Sequence, residues 1–572
     1  MSERKGRERQ EAIIEEGRRA LGMSRRDFLK TSAWASAAGL TLVACGSDTA
    51  TTTVAPATTA PPAPTTTAAA AEPTTTVAEA TTTTAPATTT TQAPAAVQPT
   101  LIFEMGIQPR VINSTVQNIQ NQKWIADMVE DKLYDWDSDV NIVPRLADGM
   151  PNRVDDLTVE VTIRDGVSFH NGDPLDAQAV ADLYTFIQSN GIWRSHLRPV
   201  DSVEAVDNLT VRFNLNRPYS FLLSKMALIN IRHRDWFEVN DSHMGSGPYV
   251  FNEFVDGQFA TLTANENHWS GHMPAIKDIR FNFVPDPGAR LVNLLSGRSH
   301  YLGDPRFSDL PVLEAQPNLT ALTANAPVDI LWFEQVENPP TDNILVRQAM
   351  AFSMNRKRVN DVVFQGKAVT ASGPLHSASL GYDPSYRPYP DEPDIERARA
   401  LLSQAGYGEN DVVDFDIVIQ NDNLTRDTMV AMTNDWLAAG LKANLVILDS
   451  GPWVNRWVTG GFNVISVASQ EGYSAGNTPW VVLGVNHSQD PANFHKYNSP
   501  RLDAILDEVD ATDDVDRQIE LWKEGNRIVA EDAVSVPPVY PPLIAAHADN
   551  LQGIDQGLLR VNHIRQQEWN FA

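Results

Sequence analysis

Between residues 46 and 98 the chain reads GSDTATTTVAPATTAPPAPTTTAAAAEPTTTVAEATTTTAPATTTTQAPAAVQ, with almost no large apolar side chain. A tract that can bury so little cannot offset the entropy of being ordered, so it is a linker. Its prolines favour extended conformations, which makes it a semi-stiff spacer; if flexible, its r.m.s. span is on the order of 40 Å. Such a Thr-rich stalk also suits glycosylation. Folding is thereby confined to residues from about 99 to 572. That length exceeds the roughly 250 to 300 residues at which a single core stops growing, so at least two lobes are expected.

Ahead of the linker, residues 24–46 read SRRDFLKTSAWASAAGLTLVACG. Arg25 and Arg26 precede a weakly apolar run over residues 31–44, and the pattern reads as a twin-arginine export signal. The run falls short of the roughly 20 apolar residues of a permanent membrane helix. Leu42, Val43, Ala44 and Cys45 resemble the bacterial lipoprotein box, which makes Cys45 the expected lipidation site and first residue of the mature chain. Cys45 is the sole cysteine, so no intrachain disulfide can form and stability must come from the core. Residues 1–44 carry nine Lys/Arg and six Asp/Glu, and their removal takes the formal charge from −27 to −30. That acidity argues against nucleic-acid binding, which needs a basic face.

Mixed α/β patterning runs through the remainder. Leu157, Val159, Val161 and Ile163 alternate as in a half-buried strand, as do Leu209, Val211, Phe213 and Leu215. Between them Val180, Leu183, Tyr184 and Ile187 share one helical face, with Asp176 as the N-cap and Gly191 near the stop. Later, DFDIVIQ predicts a strand, TRDTMVAMTNDWLAAG a helix closed by Gly440, and KANLVIL a further strand. This β-α-β succession favours a parallel sheet in the second half with a right-handed crossover.

Catalytic and cofactor motifs are wanting. Ser246 in GSGPY lacks the leading glycine of a nucleophile elbow, because position 243 is His. His268 and His272 have helical zinc spacing, yet Trp269 replaces the expected Glu and Gly271 weakens a helix, so structural placement is expected. With no phosphate loop, dinucleotide fingerprint or metal-spaced Cys/His set, no cofactor or metal is expected.

Seven segments, in order, carry a resemblance: DKLYDWDSDVNIVPRLADGM, LTVEVTIRDGVSFHNGDPLDAQAVADLY, GSGPYVFNEF, NENHWSGHMPAIKDIRFNFVPDPGARLVNLLSG, VRQAMAFSMNRKRVNDVVFQGKAVTASGP, PDIERARALLSQAGY and YNSPRLDAILDEVDATDD. Together they resemble the extracellular solute-binding proteins of family 5, the dipeptide- and oligopeptide-binding type. The resemblance implies a two-lobed periplasmic-binding-protein-like α/β fold (type II, large cluster). Lobe I would take residues 99–325 with an extra subdomain, lobe II residues 326–536, and residues 537–572 would return to lobe I. It further implies binding rather than catalysis, by hinge closure around a ligand held between the lobes. The implied partners are an ABC permease and its ATPase, and the receptor is expected to be a monomer held at the outer face of the cytoplasmic membrane by the lipid on Cys45.

Peptide-binding relatives resemble G-W-x-A-D-Y at the stretch that here reads Ala468-Ser469-Gln470-Glu471-Gly472-Tyr473, where the Asp that pairs with a ligand ammonium has become Gly472. A buried cation needs such a counter-charge. Glu471 could replace it if the loop shifts, or is a solvated loop acid. Trp453 matches an aromatic position lining the cleft, and Trp457 follows one helical turn later, either as a second stacking face or as core. Gln470, Tyr473, Asn477 and Trp480 would add amide and aromatic contacts suited to hydroxyl-rich ligands. The resemblance adds Met105 and Arg110 near the end of the first strand of lobe I, and Trp332 near the crossing strand; Arg110 is otherwise a solvated loop charge. Two ligand classes stay open, peptides and oligosaccharides. The rival class of function is an exported hydrolase, for which no nucleophile and base can be named from spacing. Import and signalling to a membrane kinase are not separable at this level.

Overall fold

The computed structural model describes residues 99–572, except 107, 110, 116–119, 140, 191–193, 195–196, 326–328, 335–336, 470–478, 491–492 and 556–564. Among the described residues one seven-stranded and two four-stranded sheets organise the fold, beside three two-stranded ribbons. The largest has seven strands in the order Leu319–Ala324, Leu543–Ala548, Tyr301–Leu302, Leu101–Met105, Asp278–Phe283, Phe259–Ala264, Tyr249–Val255. Leu101–Met105 runs parallel to both of its neighbours, while Leu543–Ala548 is antiparallel to the strands on either side of it. Alternation sends Leu101, Phe103 and Met105 to one face, where they are wholly buried in a core that includes Trp124, Ile125 and Met128 of the helix Gln120–Val129. On the other face Leu302 and Ala546 pack with Leu294 and Leu313 of the helices Pro287–Leu295 and Leu310–Glu314.

A second, antiparallel sheet, Asn152–Asp155, Thr158–Thr162, Thr210–Leu215, Val200–Ala205, is inserted in the chain between strands of the first. The expected alternation is present: Val159, Val161, Val211 and Phe213 are buried against the helix Ala177–Ser189. Asp176 caps that helix as its position predicts, accepting the Ala179 N–H at 2.9 Å.

The third sheet has the order Asp329–Glu334, Val464–Ser469, Val413–Gln420, Leu441–Leu448. Val413–Gln420 and Leu441–Leu448 are parallel over their full length, joined through the helix Asn423–Ala438, and Gly440 takes the left-handed φ of +89° that ends it. Val413, Phe415, Ile417 and Ile419 face helices on one side, including Trp436 and Met350, whereas Val418 and Ile465 face Trp453 and Phe462 on the other. The seven-stranded sheet and the third sheet, both mixed in strand direction, are thus each packed on two faces by helices.

GSGPY places two glycines against the end of the helix Gln120–Val129. A Cβ on Gly245 would lie 2.2 Å from the Val129 carbonyl oxygen, and one on Gly247 2.7 Å from that of Met128. The motif is a close approach of two backbones, leading into the strand Tyr249–Val255. His268 and His272 lie in irregular backbone, not on a helix: His268 Nδ1 is 2.7 Å from Ser270 Oγ, and His272 Nε2 is 3.3 Å from the Gln567 carbonyl oxygen. Among the described residues no group of His, Cys, Asp and Glu is placed to hold a metal ion.

Candidate functional site

In sheets of this kind ligands sit outside the carboxyl ends of parallel strands, where the connections diverge to opposite sides. The seven-stranded sheet has that point at Leu101–Met105, flanked by two parallel strands that come later in the chain. Leu319–Ala324 runs in the same direction, because two antiparallel pairings separate it from Tyr301–Leu302, so Ala324 lies at the same carboxyl edge. The chain then passes to the third sheet, where Asp329 pairs with Ser469. Val464–Ser469 is parallel to Val413–Gln420, which puts Ser469, Gln420 and Leu448 at one carboxyl edge. The step from Ala324 to Asp329 covers at most about 18 Å of extended backbone, so the two carboxyl edges adjoin at this crossing. A second crossing lies beside the first: Val539–Tyr540 pairs with Val369–Thr370, and the chain re-enters the large sheet at Leu543, opposite Ala324.

On the third sheet's side of the crossing, the helix Ser450–Thr459 starts directly after Leu448–Asp449. Asn421 Nδ2 donates to Asp449 Oδ1 at 3.1 Å, tying together the ends of the two parallel strands. Trp453 and Trp457 follow on that helix with ring centroids 5.2 Å apart, and Trp457 meets Phe494 edge-on at 5.8 Å. Trp453 is 5% exposed, and its indole Nε1 has no hydrogen-bond partner among the described residues. Trp457 is half-buried against the same cluster. Trp480 opens the short helix Trp480–Gly484, and Trp332 lies in the strand Asp329–Glu334 opposite Ser466. Gln470, Glu471, Gly472, Tyr473, Asn477, Arg110 and Cys45 lie outside the described residues.

On the large sheet's side, Met105 is wholly buried with its side chain in the core, and the groups gathered beside it are charged. The Gly106 N–H donates to Asp304 Oδ2 at 3.1 Å, and Arg290 Nε is 3.4 Å from Asp304 Oδ1. Burial pushes the Asp304 carboxyl up to about 6 despite Arg290. Under the helix Pro287–Leu295, Asn293 Nδ2 donates to Glu104 Oε1 at 2.7 Å, and burial raises this carboxyl too. A side chain at Gly106 would collide with both Asp304 and Arg290. Sequence reasoning missed this group. Its only local signal is the acid inside the apolar run LIFEM, because Asp304 and Arg290 join it through strand order alone.

The two carboxyl edges thus adjoin at the crossing, with the tryptophan pair on the third sheet's side and the Glu104, Asp304 and Arg290 group on the large sheet's side. A sequence model of the bacterial extracellular solute-binding proteins, family 5, matches residues 141–531. The chain belongs to this family. As a family 5 protein it is a solute-binding receptor of the kind that serves ABC importers, and not an enzyme. Glutathione-binding protein GsiB of Salmonella paratyphi A is 26% identical over 441 residues, covering 74% of this chain and 85% of its own. Heme-binding protein A of Haemophilus influenzae is 26% identical over 490 residues, covering 79% and 88%. The oligopeptide-binding protein AppA of Bacillus subtilis, solved with a nonapeptide, superposes with a TM-score of 0.74 at 20% identity, over 83% of this chain and 99% of its own. That likeness establishes the fold as the two-lobed one of periplasmic binding proteins.

Proposed function

We propose that this family 5 chain is the lipid-anchored receptor of an ABC importer and takes peptide-like solutes into the space between its two carboxyl edges by hinge closure. Lobe I would comprise residues 99–325 and 537–572, and lobe II residues 326–536. The observation that carries the reading is the pair of adjacent crossings at Ala324 and Leu543, the only covalent routes between the two larger sheets among the described residues. Two neighbouring strands form a natural hinge, and a ligand touching both edges stabilises only the closed arrangement.

Peptides are favoured by glutathione and a nonapeptide, the ligands of two of the three similar proteins named above, and by the tryptophan pair Trp453 and Trp457. Gln470, Glu471, Gly472, Tyr473, Asn477, Trp480, Met105, Arg110 and Trp332 are the further proposed contacts. Gly472 in place of an acid is the specific observation that favours a second ligand class, oligosaccharides. Cys45, following Leu42-Val43-Ala44, would carry the lipid after twin-arginine export, and residues 46–98 would give the domain reach from the outer face of the cytoplasmic membrane. Native mass spectrometry of the gently purified mature chain, followed by mild denaturation, tests the reading. A co-purified peptide is the expected result; a retained oligosaccharide, with no peptide competing for it, would overturn the peptide assignment.

A further inference from the structure

Strand pairing gathers two acids on one face of the seven-stranded sheet. Glu104 stands opposite Leu302 in the parallel pair Leu101–Met105 and Tyr301–Leu302, and both point to the face covered by the helix Pro287–Leu295. Two residues beyond each, Gly106 and Asp304 meet, the Gly106 N–H donating to Asp304 Oδ2 at 3.1 Å. The helix follows the carboxyl end of Asp278–Phe283 and brings Arg290 and Asn293 to the two acids. Gly106 adds no side chain, and the Asp304 carboxylate and the Arg290 guanidinium take up the space that one would fill.

One cation serves both acids. Arg290 Nε is 3.4 Å from Asp304 Oδ1, but its other donors go to backbone oxygens: Nη1 to Val284 at 2.7 Å and Pro285 at 3.0 Å, and Nη2 to the Asp304 carbonyl at 3.4 Å. Glu104 is 1% exposed; Asn293 donates to its Oε1, and its Oε2 has no hydrogen-bond partner among the described residues. Asp304 Oδ1 has none either, beyond the ion pair with Arg290. The neighbouring arginines are engaged elsewhere, Arg298 with the Asn293 amide oxygen at 3.5 Å and Arg306 with Asp309 at 2.7 Å. Among the described residues no second Lys or Arg lies within 4 Å of either carboxylate. Burial raises both carboxyls in spite of Arg290, and the charge of Asp304 raises Glu104 further.

Buried negative charge without a full counter-charge is costly, and an arriving cation removes that cost. The two acids differ in access. Glu104 is enclosed beneath the helix, whereas Asp304 keeps 19% of its side chain exposed and follows Tyr301–Leu302 at the carboxyl edge. A primary ammonium offers three donors and no acceptor, which complements a pair of carboxylates with acceptor capacity to spare. We propose that this pair is a subsite for a primary ammonium group of the solute, Asp304 touching it at the carboxyl edge and Glu104 adding a second negative charge from behind. The proposal rests on the solute lying between the carboxyl edges, as read above, and names the ligand chemistry that the large sheet's side takes.

The test is native mass spectrometry of the full chain with two pairs of probes. One pair is a tripeptide pool with free amino termini and the same pool Nα-acetylated; its lysine-containing members, which keep a side-chain ammonium after acetylation, separate the two sources of the cation. The other pair is glucosamine oligomers and N-acetylglucosamine oligomers. The wild type is expected to prefer the ammonium member of the pair it binds by about tenfold, the worth of one charge-assisted contact. Asp304→Asn, which keeps an acceptor for the Gly106 N–H, should abolish that preference, and Glu104→Gln should reduce it, with the members that carry no ammonium bound as before. A merely structural role would lower the melting temperature of the variants and leave the preference unchanged. If tripeptides bind without regard to an ammonium, or the preference survives in Asp304→Asn, the subsite falls and the peptide reading stands. If only the sugars bind, the peptide reading falls, and the subsite stands or falls by the preference for glucosamine. Binding of neither pair overturns the subsite together with the reading on which it rests.

Discussion

Ala324 and Leu543 are cross-strand partners at the very edge of the seven-stranded sheet, one where the chain leaves it and the other where it comes back. Three residues before Leu543, Tyr540 is anchored on the far side of the crossing. Its hydroxyl accepts the N–H of Ser372 at 3.2 Å and of Gly373 at 3.1 Å, and donates to the Gly373 carbonyl at 2.6 Å. The return strand is thus pinned at both ends, by sheet pairing and by a phenol. Tyr540→Phe would leave those buried backbone groups without their partner, at a cost of about 1–3 kcal/mol. Urea denaturation of the variant reads this directly, and an unchanged midpoint would contradict the pinning.

His376 packs on Tyr540 with ring centroids 5.2 Å apart, and burial pushes its imidazole down to about 4. Its Nδ1 accepts the Ala378 N–H at 3.0 Å, so protonation there would break a hydrogen bond as well as bury a charge. A pKa depressed on folding gives stability that is present above the unfolded value near 6.5 and is lost as pH falls through about 4. Stability should therefore decline between pH 6.5 and 4, with about 3 kcal/mol traceable to this ring. Denaturation midpoints across that range should flatten by one proton's worth in His376→Gln.

Much of the architecture could be read locally, and the reasons are short-range. Asp176 and the face Val180, Leu183, Tyr184, Ile187 lie within one helix, and the strands around Val159 and Phe213 announce themselves by alternation. Parallel pairing of Val413–Gln420 with Leu441–Leu448 followed from the helix between them. What could not be read depends on which strands become neighbours. Leu101–Met105 pairs with strands almost two hundred residues later, and only that order sets Gly106 beside Asp304 and Arg290. Likewise nothing local joins Phe221 to Trp522. The pairing of Trp453 with Trp457 was legible because they sit one turn apart on a single helix.

The indole of Trp453 is buried with an Nε1–H that no described residue accepts, and it lies on the helix that starts at the carboxyl edge. A ligand carbonyl or hydroxyl would supply the missing acceptor. Trp453→Phe keeps an aromatic face and removes the donor, so affinity for the co-purified ligand should fall roughly tenfold, the equivalent of one hydrogen bond. Calorimetric titration measures this, with Trp457→Phe as the comparison. Equal affinity in the wild type and Trp453→Phe would place the indole N–H outside ligand contact.

Among the described glycines the tightest approach concerns Gly245, whose added Cβ would stand 2.2 Å from the Val129 carbonyl oxygen and 2.7 Å from the Glu130 Cα. Neither neighbour can yield. Val129 ends the helix Gln120–Val129, and Glu130 is held by His243 Nδ1 at 2.6 Å and by the Ser114 hydroxyl at 2.6 Å. Around Glu130 the Arg232 guanidinium and His243 are wholly buried with it, so a shift of the helix end would break a desolvated charge cluster. Gly245→Ala should then cost more than the roughly 1–3 kcal/mol usual for overpacking, because cavity-free backbone and an ionic network must move together. Asp176→Ala, which removes only a cap, should cost about 1 kcal/mol. Thermal melts of the two variants side by side should show the glycine substitution as much the more damaging, and a similar loss in both would mean that the helix end is free to move.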